Sequence, residues 1–174
     1  MKAITDLTSN NPRDHLLFLL GINNGLRTID ILKLKVKDVR NMKPGDTLTI
    51  KESKTGKDNV LMINKTVHKA LRNYLDQAEL NDDDYLFKSR KGNGALQSQA
   101  VSKLVKKWTS AINLKGNYGA HTLRKTFGYI QRKEYGVGFE IICKRYNHSS
   151  PAVTMRYLGI EDKEVNGILM HDIG

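Results

Sequence analysis

The residues whose types lend themselves to chemistry are two arginines, a lysine, two histidines and a tyrosine. His121 and Arg124, in His121-Thr122-Leu123-Arg124, lie three apart near the start of an expected helix, so both project from one face while Leu123, Phe127 and Ile130 turn inward. Taken alone, that spacing on a basic protein also describes a solvated face. Arg27 follows the turn Asn23-Asn24-Gly25-Leu26, and Asp30 three residues on is placed to steady its guanidinium. The plain alternative is a surface ion pair of little energetic worth. Lys54, in Ser53-Lys54-Thr55-Gly56-Lys57, falls at the tip of an expected hairpin, where an ammonium either keeps a turn in water or reaches a bound phosphate. The phrase lacks the Gly-x4-Gly-Lys-Ser/Thr spacing of a nucleotide-binding loop, which argues against ATP or GTP there. His148 and Tyr157 stand on either side of the helix start Ser149-Ser150-Pro151, and Tyr157 reads equally as an aromatic packed under the last helix.

The elements that must position these residues are mostly helical. Residues 12 to 23 begin with Pro12 and an early acid, Asp14, and run apolar nearly all round from Leu16 to Ile22, which predicts a buried helix ended by Asn23-Asn24-Gly25. Thr28 is placed to cap a second, shorter helix with Ile31, Leu32 and Leu34 inward. From Thr47 to Asn64 the period changes to two, with Leu48 and Ile50 alternating with polar residues and Val60-Leu61-Met62-Ile63 following the Lys54 turn, a hairpin pattern. Helical stripes then run from Val67 to Ala78 behind Asn64 as cap, and from Val101 to Ile112 behind Ser98. Loops are expected at 81–84, 90–94 and 115–119. Helices are expected over about 121–134, 138–145, 150–157 and 161–170, the third announced by Ser150 and Pro151. The fold class is α+β, mostly α-helical, with a small antiparallel sheet at one edge. One domain over residues 1–174 is the simplest organisation, with residues 1–10 as a flexible linker.

Composition narrows the partner. The 174 residues are 39% hydrophobic and 27% charged, with three prolines, which fits a globular domain rather than a membrane-embedded or low-complexity chain. The net charge of +11 and isoelectric point near 9.7 favour a polyanion, nucleic acid first and an anionic membrane surface second. The membrane reading lacks a long basic amphipathic helix or a lipidation signal, and the first twenty residues do not form a secretion signal, so a cytoplasmic, DNA-associated location is expected. The single cysteine, Cys143, excludes an internal disulfide and a cysteine-rich zinc site.

In order and spacing, the six residues together strongly resemble the catalytic domain of tyrosine recombinases, the phage-integrase family. Gly25-Leu26-Arg27-Thr28-Ile29-Asp30-Ile31-Leu32-Lys33-Leu34 resembles that family's first arginine box, and Lys54-Thr55-Gly56-Lys57 its hairpin lysine. Ala120-His121-Thr122-Leu123-Arg124-Lys125-Thr126-Phe127-Gly128 is similar to the second box, and the stretch from His148 to Leu158 to the last histidine and the nucleophile. The resemblance covers nearly the whole chain. One departure is Tyr146-Asn147 before the last histidine, where the family usually has Leu-Gly; asparagine tolerates the left-handed backbone such a turn requires.

The resemblance implies a site-specific recombinase or integrase of bacterial mobile DNA, cutting and rejoining strands without metal, ATP or another cofactor. Tyr157 would be the nucleophile of a 3′-phosphotyrosyl intermediate, and Arg27 and Arg124 the phosphate clamp. His121 would act as acid/base, Lys54 as general acid, and His148 as a donor to a non-bridging oxygen, with Asp30 supporting from behind. The implied partners are double-stranded DNA, a homotetramer formed on it from free monomers, and accessory DNA-bending proteins, with no membrane. The family's usual N-terminal core-binding domain is expected to be absent, as in a catalytic fragment or in the short fimbrial-switch recombinases. Two rivals remain at this level: a type IB topoisomerase that nicks and reseals, and a regulatory DNA-binding module that keeps the fold without turnover.

Overall fold

The computed structural model describes residues 1–89, 92–160, 167–170 and 172, apart from the side chain of Ile168. Its contacts group into two units, residues 1–127 and 128–174, a division the sequence did not suggest.

In the first unit the chain opens with α1 (Lys2–Thr8), where a flexible linker was expected. Ile4 and Thr8 are buried and the helix packs on α2 (Pro12–Asn24) and α6 (Ser98–Ala111), so tertiary burial holds a segment too short to be helical by itself. In α2 the Asn11 side chain accepts from the Asp14 N–H at 3.2 Å, with Pro12 in the first turn. Leu16 to Leu20 are all buried, and the helix ends at Gly25 in the left-handed conformation, φ +59°. Phe127 lies so close that a Cβ at Gly25 would collide with its ring.

Two short helices follow, α3 (Thr28–Ile31) and α4 (Val36–Val39). Thr28 is not the cap of α3: it lies inside the helix after Arg27, and its buried hydroxyl donates to the Ala120 carbonyl at 3.0 Å. Strands β1 (Thr47–Lys51) and β2 (Asp58–Met62) pair antiparallel in the register Thr47 to Met62 and Lys51 to Asp58. Helix α5 (Lys65–Gln77) starts under Asn64, which accepts from the Val67 N–H at 2.9 Å, and buries Val67, Ala70, Leu71 and Tyr74 against α2. Helix α6 is capped at Gln97 without a side-chain bond, so Ser98 is its first residue rather than its cap. It buries Val101, Val105 and Trp108, the last edge-on to Phe18. Helix α7 (Ala120–Lys133) begins in this unit, with Leu123 so near Gly21 of α2 that a Cβ there would lie 2.8 Å from it.

The second unit holds the end of α7, then α8 (Phe139–Tyr146) and α9 (Pro151–Leu158). Ile142, Cys143 and Tyr146 are buried. Ser150 caps α9 by accepting from the Val153 N–H at 3.4 Å, with Pro151 in the first turn. Of the helix expected over 161–170, residues 161–166 lie outside the described ones, and Gly167–Met170 form a single 3-10 turn. Mostly helical with one two-stranded antiparallel sheet, the fold matches its expected class.

Candidate active site

The first unit holds four of the six expected residues and links the three segments that carry them. Arg27 precedes α3, and the Thr28–Ala120 bond joins this segment to the start of α7, where His121 and Arg124 lie. His121 is exposed and lines an open surface cavity of about 340 Å³ with Ser102, Lys106, Tyr118 and Lys125, whereas Arg124 is almost wholly buried. Lys54 is exposed on the turn between β1 and β2.

That turn is fastened from both sides of the lysine. Ser53 donates its N–H (2.8 Å) and its hydroxyl (2.6 Å) to Asp30 Oδ1. Glu52, its side chain fully buried, pairs through Oε2 with the Arg27 guanidinium at 2.5 Å. The same carboxylate accepts from the Thr55 hydroxyl at 2.6 Å and from Asn59 Nδ2 at 2.8 Å. Burial by itself would raise the Glu52 carboxyl, but these hydrogen bonds and the guanidinium charge outweigh it and hold the group below the ordinary carboxylate value.

Asp30 therefore stands elsewhere than expected. Its described bonds go to Ser53 on the lysine turn, and the carboxylate on Arg27 is Glu52. Glu52 was open to detection: it continues the inward alternation Leu48, Ile50, Glu52 of β1, and an acid on the inward face of a strand requires a cation or several donors.

In the second unit His148 and Tyr157 come together. Helix α8 ends at Asn147 in the left-handed conformation, φ +53° and ψ +33°, as its substitution for glycine implied. The Asn147 N–H bonds to the Lys144 carbonyl and the His148 N–H to the Cys143 carbonyl, both at 3.1 Å, so the helix end itself fixes the histidine backbone. The imidazole Nδ1 lies 3.0 Å from the hydroxyl of Thr154, a fully buried residue of α9. The rings of His148 and Tyr157 are 5.2 Å apart and near perpendicular, and Tyr146 packs 5.1 Å from the first and 5.6 Å from the second. Tyr146 and Thr154 are the supports that sequence reasoning missed. A Cβ at Gly128 would collide with the Tyr146 hydroxyl, so that glycine admits the tyrosine.

A mostly helical domain with arginines, a hairpin lysine and a histidine-tyrosine pair defines a class, and comparison with known proteins agrees. The model of the phage integrase family matches residues 1–164, and the chain belongs to that family, the tyrosine-type site-specific recombinases. A probable integrase/recombinase of Bacillus subtilis is 38% identical over 158 residues, covering 90% of this chain and 82% of that protein. The tyrosine recombinase XerA of Pyrococcus horikoshii is 32% identical over 159 residues, covering 90% of this chain and 54% of the relative. Among solved structures, XerA recombinase superposes with a TM-score of 0.77 at 21% identity, over 99% of this chain and 63% of that one. A lambda integrase tetramer bound to a Holliday junction gives 0.66 at 17%, over 89% and 45%. Apart from the Bacillus protein, the chain spans about half the length of these curated relatives. No helix among the described residues is long and apolar enough to cross a membrane.

Proposed function

We propose that this chain carries out site-specific DNA strand cleavage and rejoining through a 3′-phosphotyrosyl intermediate on Tyr157. The phenolate oxygen attacks phosphorus in line, the bond from phosphorus to the 5′ oxygen breaks, and Lys54 supplies the proton that makes a free 5′ hydroxyl. Arg27 and Arg124 donate paired hydrogen bonds to the non-bridging oxygens as charge builds there, each worth ~3 kcal/mol in the transition state. His121 moves the phenol proton. When His148 Nδ1 accepts from Thr154, Nε2 carries the ring proton, the tautomer needed to donate to a phosphate oxygen. The phosphotyrosyl link conserves the bond energy, so a partner strand's 5′ hydroxyl reverses the step without ATP. Repeated in a tetramer on double-stranded DNA, with or without accessory bending proteins, the exchange recombines two sites.

The observation that carries this reading is the His148–Tyr157 pair, a phenol set against an imidazole whose backbone is fixed by one helix end and whose ring meets the next helix. Arg27, paired with Glu52 and followed by Thr28, which bonds to the start of α7, adds support from the first unit.

The test needs no known site. The protein is incubated with supercoiled plasmid, quenched with detergent, and scored for relaxed circles and for DNA-attached protein beside Tyr157→Phe. Attachment that disappears in the variant is expected. Attachment that persists would remove Tyr157 as nucleophile, and DNA binding without either product would favour a regulatory module.

A further inference from the structure

We infer that Glu52 is a positioning residue for this reaction: its buried carboxylate grips the Arg27 guanidinium and the Lys54 turn at once, and so sets the general acid in register with the phosphate clamp. The inference rests on the function proposed above and deepens it.

The geometry is specific to a carboxylate. Three donors converge on Glu52, from Arg27, the Thr55 hydroxyl and Asn59 Nδ2. Asn59 Oδ1 is turned the other way, accepting from the Val60 N–H at 2.8 Å, so the amide faces Glu52 with its donor end. An amide at position 52 would set its own NH₂ against one of these donors. The Glu52 backbone closes the same loop, its N–H bonding to the Lys57 carbonyl and its carbonyl accepting from the Gly56 N–H, each at 2.9 Å. Residues 52, 53 and 55 are thus tied inward while Lys54 between them faces solvent. A long ammonium chain on a loose turn samples many positions; on a turn fastened to the clamp it is delivered to one.

The charge makes the role separable from plain stability. A carboxylate beside a phosphate-binding arginine opposes attraction for DNA in the ground state, so removing it favours binding while it harms cleavage.

The decisive measurement uses a duplex bearing the cleavage position mapped on the plasmid, made with either oxygen or sulfur as the 5′ bridging atom. A leaving thiolate needs no proton, because thiols ionise near pH 8.5. Glu52→Gln is expected to form covalent complex roughly 100-fold more slowly with oxygen, the scale of a misplaced general acid. DNA affinity should be equal or tighter, and the defect should shrink at least about tenfold with sulfur. Thr55→Val, at an exposed position that leaves the Arg27–Glu52 pair intact, should show the same selectivity more weakly. The oxygen-to-sulfur ratio within one variant is independent of the fraction folded. Equal defects on both duplexes, affinity lost in parallel with rate, or wild-type rates in Glu52→Gln would each overturn the inference alone. Absence of Tyr157-linked DNA with the wild-type chain would overturn the functional reading and this inference with it.

Discussion

The two units hold their candidate residues by different physics. In residues 1–127 the ties are polar and long in sequence: Arg27 to Glu52, Asp30 to Ser53, Thr28 to Ala120. In residues 128–174 they are local and largely apolar, since one helix end fixes His148 and two tyrosine rings pack around it. The first arrangement fixes charge and direction but depends on protonation state and on exact partners. The second depends on shape, so it should be intolerant of added volume.

The largest expected effect tests the polar half. Arg27→Ala or Arg124→Ala should slow covalent complex formation by about 10²–10³-fold, the loss typical of a donor aimed at transition-state charge. Near-normal plasmid attachment by either variant would remove it from the clamp. Next comes Gly128→Ala, which drives a methyl group against the Tyr146 hydroxyl and should lower stability by about 1–3 kcal/mol in thermal denaturation. An unchanged Tm would show that the aromatic half is looser than its packing indicates. A smaller change is expected at the helix end: Asn147→Gly should be neutral, whereas Asn147→Ala should cost about 1 kcal/mol for a left-handed alanine.

Acid tests the polar half directly. Folding lowers the Glu52 pKa, so its contribution is complete above the ordinary value of 4.5 and is lost as pH falls through the lowered one. The difference in Tm between wild type and Glu52→Gln should therefore be constant near neutrality and narrow below about pH 4.5. A gap that stays constant to pH 3 would mean that the carboxylate gains nothing from its partners.

Much of this was legible in the sequence because its signals are local. Pro12 with Asp14, Asn64, and Ser150 with Pro151 begin the helices they announce, the change of period at Thr47 marks the hairpin, and the left-handed Asn147 follows from residue type. What escaped depends on partners far along the chain. Seven residues with Ile4 and Thr8 inward form α1 only because α2 and α6 cover them. Asp30 looked like the partner of Arg27 at helical spacing, yet Glu52 on a distant hairpin takes the guanidinium and Asp30 turns to Ser53. Thr28 looked like a cap, and its hydroxyl is used 92 residues away.

That last bond also carries a cost in chain entropy. Closing a contact across 92 residues costs more chain entropy than closing one within a hairpin or between neighbouring helices. The histidine-tyrosine pair spans only ten residues and forms with its two helices. The candidate nucleophile and the candidate clamp therefore rest on contacts of very different span, one local and one reaching across about half of the chain.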